Sequence, residues 1–282
     1  MPSTSILVTG ASTGIGEACA LHLDGLGHRV FAGVRKQADG ERLRARASSR
    51  LTPLLLDVTD AASVAAASAG IADTVGPDGL QGLVNNAGIA VGGPLEYLPL
   101  EDWRLQFEVN VIGQIAVTRA LLGQIRAGRG RIVFIGSSSG RISVPLMGPY
   151  GASKHALEAI AESLRHELRP WSIPVVLVEP GAIKTAIWDK GRATVDEMET
   201  RLPLEARERY RSFIDAVREG IDAQEKAGIP ALAVARVVER SLFGPRPRAR
   251  WLVGVDAKVQ GLIARLLPDG VRDAVVRRFV GL

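Results

Sequence analysis

The chain has 282 residues, room for one large α/β domain, and its 46% hydrophobic and 23% charged residues exclude the disordered and collagen-like classes. Aromatic residues are only 5%, so the core has to come from Ala, Val, Leu and Ile, which pack helices closely on a parallel sheet. The formal net charge of +5 resides in the tail from Pro245, where eight basic residues (Arg246, Arg248, Arg250, Lys258, Arg265, Arg272, Arg277, Arg278) stand against Asp256, Asp269 and Asp273, and no nucleic-acid reading element accompanies them.

The single cysteine, Cys19, rules out an internal disulfide and any multi-cysteine metal cluster. His22, His28, His155 and His166 show no metal-ligand spacing, so no metal is expected. No signal peptide precedes the strand-like run at Ser5, and no apolar run approaches the roughly 18 residues of a membrane span. The expected location is cytoplasmic.

Strand-like segments recur at Ser5–Thr9, Arg29–Val34, Leu51–Leu56, Leu80–Asn85, Arg131–Ile135, Pro174–Glu179 and Trp251–Gly254, with helical stretches between them. Such alternation predicts an α/β fold, a doubly wound Rossmann-type parallel sheet of about seven strands with ligands at the carboxyl ends. One domain over 1–282 is expected. Within it, 183–228 interrupts the alternation with a charged helical stretch (Asp196–Glu225) and reads as a substrate lid, while 245–282 forms a C-terminal helical extension.

The first strand runs into Thr9-Gly10-Ala11-Ser12-Thr13-Gly14-Ile15-Gly16, a G-x-x-x-G-x-G turn that opens a helix from about Ile15 to Leu26. Glycines there allow close backbone approach, and the first helical amides present donors to a pyrophosphate. Asp57 ends the third strand, placed either for an adenine amino group or for capping, although Asp60 is the better cap. Asn85-Asn86-Ala87-Gly88 closes the fourth strand with two amides and two small residues.

Tyr150 and Lys154 are four residues apart at the start of a helix, which puts phenol and ammonium on one face. A nearby positive charge lowers the phenol pKa from ~10 and makes the tyrosine a usable general acid/base. Thirteen residues before it, Ser137 lies in Ile-Gly-Ser-Ser-Ser-Gly at the fifth strand's end, where its hydroxyl is placed to hold a substrate oxygen. Ser138 and Ser139 are expected to shape the loop.

Thr9–Gly16, Asn85–Gly88, Asn110, Ser137, Tyr150, Lys154 and Pro180-Gly181 together resemble the short-chain dehydrogenase/reductase superfamily, of the Tyr-x-x-x-Lys type and close to its hydroxysteroid and retinol dehydrogenase-like members. The resemblance implies that Ser137 polarises a carbonyl, Tyr150 donates the proton, Lys154 binds the nicotinamide ribose and tunes Tyr150, and Asn110 holds a relay water. It further implies a cofactor site formed by Gly10, Ser12, Thr13, Gly14, Ile15, Gly16, Arg35, Asp57, Val58, Asn86, Ala87 and Gly88, with Pro180, Gly181, Ile183 and Thr185 bordering the nicotinamide.

The cofactor expected is NADP(H) rather than NAD(H), because the second strand ends in Val34-Arg35-Lys36 where an NAD-selective site carries a carboxylate. A guanidinium suits a 2′-phosphate. Val144, Leu146, Met147, Ile187 and Trp188 are the expected substrate contacts beside Ser137 and Tyr150, and they predict a hydrophobic substrate such as a steroid, retinoid or aryl ketone. Trp188 and Tyr210 read either as substrate walls or as packing.

The function expected is therefore an oxidoreductase moving a hydride between a carbonyl compound and a secondary alcohol, acting as a homodimer or homotetramer. Its rivals are a non-catalytic dinucleotide sensor, an epimerase or dehydratase of related fold, and an NAD-preferring alcohol dehydrogenase of the same family. In the tail, Val259, Leu262, Ile263, Leu266 and Leu267 follow helical spacing between Lys258 and Arg265. Core or subunit interface is the first reading of that stripe, and a peripheral membrane contact the second.

Overall fold

The computed structural model describes residues 4–279, except the side chains of Ile187, Lys190 and Phe279. Strands β1 (Ser5–Val8), β2 (Arg29–Val34), β3 (Leu51–Leu55), β4 (Gly82–Asn85), β5 (Arg131–Ile135), β6 (Val175–Pro180) and β9 (Arg250–Val253) form a seven-stranded sheet in the order β3-β2-β1-β4-β5-β6-β9. Every pairing is parallel. Each of the seven expected strands is present, β2 and β5 with the expected bounds and the others with ends shifted by one or two residues.

The sheet is buried on both sides because its side chains alternate between two apolar cores. Ile6 and Val8 of β1 enter one core, under α1 (Gly14–Gly25) and α10 (Ala231–Phe243). Leu7 enters the other, under α3 (Ala61–Val75), α5 (Gly113–Ala127) and α6 (Gly148–Glu167). Phe134 and Phe31 are the largest fully buried side chains, and most of the rest of both cores is aliphatic. Cys19 is buried in the α1 core, where desolvation pushes its thiol up to about 12, consistent with packing. The strand order reverses between β1 and β4, the place where doubly wound sheets open a crevice for ligands. The remaining helices on this framework are α2 (Gln37–Arg44) and α4 (Leu100–Phe107).

The expected charged helix at Asp196–Glu225 is in fact three: α7 (Ile187–Arg201), α8 (Leu204–Arg209) and α9 (Arg211–Ala227). Pro203 has no amide hydrogen and disfavours helix in the residue before it, so α7 ends at Arg201 and the chain restarts. Two short strands that the sequence does not predict, β7 (Ile183–Lys184) and β8 (Ile229–Pro230), pair in parallel and close the insert at its base. Leu146, Val195, Met198, Leu202, Ala206 and Ile214 give the insert its own apolar cluster.

The tail forms α11 (Val255–Leu266) and α12 (Asp269–Phe279) after β9. Of the predicted apolar stripe, Ile263 and Leu267 are half-buried whereas Val259, Leu262 and Leu266 are exposed, so within one chain the stripe is not core. The helix packs instead through the buried Ala257 and through Gly261, whose lack of a side chain allows close approach to Leu252 of β9.

Candidate active site

The ends of β1 and β4 are tied by one buried threonine. Thr9 Oγ1 accepts from the amides of Asn86 (2.9 Å) and Ala87 (3.0 Å), while Asn86 Nδ2 donates to the carbonyls of Thr9 (2.9 Å) and Gly10 (3.1 Å). Asn86 therefore holds the glycine turn from across the crevice. A Cβ on Gly16 would lie 2.2 Å from the Gly10 carbonyl oxygen and 2.4 Å from Asn86 Nδ2, so only glycine lets α1 start this close to β4. Gly10 and Gly14 both have left-handed backbones, φ +62° and +64°.

No side chain caps the amides at the start of α1, and Thr13 at the N-cap is extended. A glycine cradle before a helix N-terminus that lacks a side-chain cap fits a dinucleotide pyrophosphate. Ser12, Thr13 and Ile15 lie along this turn, and the Thr185 side chain packs over Gly14. Pro180 ends β6, Gly181 donates to the Val253 carbonyl (2.9 Å), and Ile183 is buried in β7, so this border stands opposite the glycine turn.

Val34 is buried at the end of β2, and Arg35 and Lys36 follow it fully exposed. Asp57 Oδ1 accepts from Thr59 N (2.9 Å) and Thr59 Oγ1 (2.7 Å), which with the nearby Arg35 holds its carboxyl below the ordinary carboxylate value. Asp60 is the cap of α3, accepting from Ala62 N. Val58 is buried against Gly113, and Gly88 approaches Asn110. Arg42 reaches from α2 to the Ser12 carbonyl (2.5 Å), bringing to the glycine turn a guanidinium that no sequence motif assigns there.

Asn110 sits in a π-helical turn, Glu108–Ile112, between α4 and α5. Such bulges commonly occur at functional sites. Its Oδ1 accepts from Ile89 N (2.8 Å), and its Nδ2 donates to Ile89 O (3.0 Å) and Ser153 Oγ (3.1 Å). Gln106 clamps the same segment through Val91 N (2.7 Å) and Ile89 O (3.0 Å), and Gln114 donates to Ala87 O (2.9 Å). These three fully buried amides fix the loop after β4. Their spacing of four residues was the sequence signal for Gln106 and Gln114, both missed.

Ser137, Tyr150 and Lys154 converge beside this loop. Ser137 starts the short helical turn Ser138–Gly140, its Oγ accepting from Ser139 N (3.1 Å), and its hydroxyl is near enough to Tyr150 to act on the phenol. Burial pushes the Tyr150 phenol above its ordinary value, and Ser137 pulls it back. Lys154 Nζ donates to Ile135 O (2.9 Å) and stands 5.7 Å from the Tyr150 ring centroid. Burial lowers its pKa to about 8. The expected lowering of the phenol by Lys154 does not show: the phenol is raised by desolvation, and the influence opposing it comes from Ser137.

The expected substrate residues divide. Val144, Met147 and Trp188 are half-buried, and Trp188 Nε1 donates to Ile183 O (2.8 Å). Leu146 is turned into the cluster of the insert, 7% exposed, and Tyr210 packs beside Tyr97 and Phe213. Ile187's side chain lies outside the described residues. Behind the Ser137–Gly140 turn, Arg141 Nε (2.9 Å) and Arg250 Nη1 (2.6 Å) donate to the fully buried Glu179, and Arg250 also pairs with Glu158.

Residues 4–196 match the family model described as short chain dehydrogenase. An NADPH-dependent 3-dehydrocapnine reductase of Ornithobacterium rhinotracheale is 35% identical over 95% of this chain and 94% of its own. Human retinol dehydrogenase 16 is 36% identical over 96% and 87%. A short-chain dehydrogenase/reductase from Burkholderia phymatum, solved in complex with NAD, superimposes with a TM-score of 0.78 at 25% identity, covering 93% of this chain and 92% of that one. With a matching fold, family model and full-length relatives, this chain belongs to the short-chain dehydrogenase family of oxidoreductases.

Proposed function

We propose that this protein interconverts a hydrophobic ketone and its secondary alcohol with NADP(H), Tyr150 acting as the general acid/base. The observation that carries the reading is the convergence of Ser137, Tyr150 and Lys154 at the carboxyl end of β5, next to a glycine cradle suited to a dinucleotide.

When bound, the dinucleotide supplies the hydride. Ser137 Oγ holds the substrate oxygen, and Tyr150 Oη hydrogen-bonds it from the neighbouring position. In reduction Tyr150 passes its proton to the developing alkoxide, and in oxidation it takes that proton back. Lys154, protonated below about pH 8, stabilises the phenolate left behind. Asn110 fixes the backbone at Ile89 and the Ser153 hydroxyl, which itself donates to Tyr150 O (2.7 Å), so it supports the base of the tyrosine.

Preference for NADP(H) rests on three exposed cations around the adenosine end, Arg35, Lys36 and Arg42, with no carboxylate closing β2. Arg42 supplies a cation at the turn where Thr13 is neutral. The relative named as an NADPH-dependent reductase agrees with this choice. A hydrophobic substrate is supported by Val144, Met147 and Trp188 beside the catalytic loop and by the relative named as a retinol dehydrogenase.

Titration with NADPH and NADH, followed by a screen of aryl ketones, retinoids and steroids against small hydroxy acids and sugars, tests both parts. NADPH should bind at least about tenfold tighter, and Arg35→Ala should erase most of that margin. Equal binding of NADH refutes the cofactor assignment. Best efficiency on small polar substrates refutes the substrate class.

A further inference from the structure

We propose that the outer face of α11, continued by α12, docks this protein on the surface of an anionic lipid bilayer. This inference is independent of the substrate and cofactor readings above.

Helix α11 is apolar on two opposite faces. Its inner face is small, with Ala257 fully buried and Gly261 resting on Leu252. Its outer face is large and uncovered: Val255 is 76% exposed, Val259 50%, Leu262 58% and Leu266 63%. Those four residues, at spacings of four, three and four, form one continuous stripe. A helix that only had to pack on β9 would carry polar residues there. Helix α12 extends the apolar surface with Val271 and Val275, 49% and 41% exposed.

Charge decides what covers the stripe. Lys258 and Arg265 are exposed and project from the same flank of α11, two turns apart, and Arg277 and Arg278 are exposed on α12. Of the three acidic residues of this tail, Asp256 accepts from the Ala182 amide (2.6 Å) and Asp269 pairs with Arg272 (2.5 Å), which leaves the exposed Asp273 of α12 against the four cations. A two-fold pairing of α11 with a second copy would set Lys258 and Arg265 against the same cations without an acidic counterpart. An anionic lipid surface satisfies both features, burying the stripe in the headgroup boundary and neutralising the flanking cations.

The geometry is that of a helix lying on a membrane rather than crossing it. At 12 residues α11 is about 18 Å long, well short of a ~30 Å hydrocarbon core. No helix among the described residues is long and apolar enough to span.

Co-sedimentation of the full chain with vesicles of phosphatidylcholine, alone or mixed with phosphatidylglycerol, tests the proposal. Binding should appear with the anionic vesicles and weaken with salt. Leu262→Glu/Leu266→Glu should lower the partition coefficient at least about tenfold, and Lys258→Glu/Arg265→Glu should abolish the preference for anionic lipid. Both variants change only exposed positions, so turnover of a water-soluble ketone should stay within about twofold of wild type and shows that they fold. Absence of wild-type binding, or variants that bind as wild type does, overturns the proposal. Sedimentation velocity separates the competing occupant: a wild-type dimer that Leu262→Glu/Leu266→Glu converts to monomer, with no vesicle binding, assigns the stripe to a second copy and overturns the lipid reading.

Discussion

The crevice between β1 and β4 and the insert between β7 and β8 hold their shapes in opposite ways. In the crevice, glycines, buried amides and main-chain carbonyls set the geometry, as in the bonds from Asn86 Nδ2 to Thr9 and Gly10. In the insert, side chains do so: an apolar cluster around Met198 and Ile214, and ion pairs from Arg192 to Glu225 (2.8 Å) and Arg218 to Glu199 (2.6 Å) that join α7 to α9. Main-chain geometry tolerates few sequences, whereas a cluster of aliphatic side chains accepts many of similar volume. Exposed ion pairs add little, about 0–1 kcal/mol each. The first region therefore carries motifs and the second accepts a wider range of sequences.

The sharpest way to break this division is at the chemistry itself. Tyr150→Phe keeps the ring and loses the proton, so turnover should fall at least about a hundredfold while dinucleotide affinity stays within about twofold. Single-turnover kinetics with a fluorescence titration measure both, and comparable turnover would remove Tyr150 from its role. Next in size is Gly16→Ala. Its methyl would sit 2.2 Å from the Gly10 carbonyl oxygen, so the turn must move, and dinucleotide binding should weaken about tenfold or more with the circular dichroism spectrum retained.

Leu146 joins the two regions and sharpens the comparison. It is buried in the cluster of the insert, its carbonyl accepts from Gly93 N (2.7 Å), and its backbone is left-handed at φ +62°, four residues before Tyr150. A leucine stays in that conformation only where its surroundings enforce it. Leu146→Ala should loosen the insert and leave Ser137 and Lys154 in place, raising KM for a hydrophobic ketone about tenfold while kcat changes less than about threefold. A kcat loss as large as the KM rise would show that the insert also positions the tyrosine.

How far the sequence could be read follows the same line. The strands of the main sheet are short, mostly aliphatic runs, several of them bounded by Gly, Asn or Asp, and the residues at the ends of β1, β4 and β5 have few physical substitutes, so sheet and candidate site were legible together. Beyond Ile183 the signals thin out. The pairing of β7 with β8 involves two residues from each strand, too few for a periodic pattern, and links positions 46 apart in sequence. The stripe on α11 had the spacing of a core face, and only the contacts of Ala257 and Gly261 show that the helix is docked by its other side. Arg42 was invisible because its part depends on α2 folding back over Ser12.

The smallest effect concerns the charged network behind the Ser137–Gly140 turn, at Glu158, Glu179, Arg141 and Arg250. Glu179 accepts from both arginines, and Arg141 approaches Glu158 only to 4.0 Å, so Glu158 relies mainly on Arg250 and faces the Glu179 carboxylate. Desolvation first, then the bond to and repulsion from Glu179, push Glu158 up to about 7 against the pull of Arg250. A carboxyl whose pKa is higher folded than unfolded contributes stability that is fully present below about 4.5 and lost as pH rises through about 7, because the folded state then holds the extra proton. Glu158→Gln keeps the shape and the hydrogen bond but cannot ionise. The difference in Tm between wild type and this variant should therefore shift by a few degrees between pH 5 and pH 8, with wild type losing ground as pH rises. Thermal melts across that range measure it. Parallel pH dependence in the two proteins would mean that Glu158 ionises as an ordinary surface carboxylate and that Glu179 does not raise its pKa.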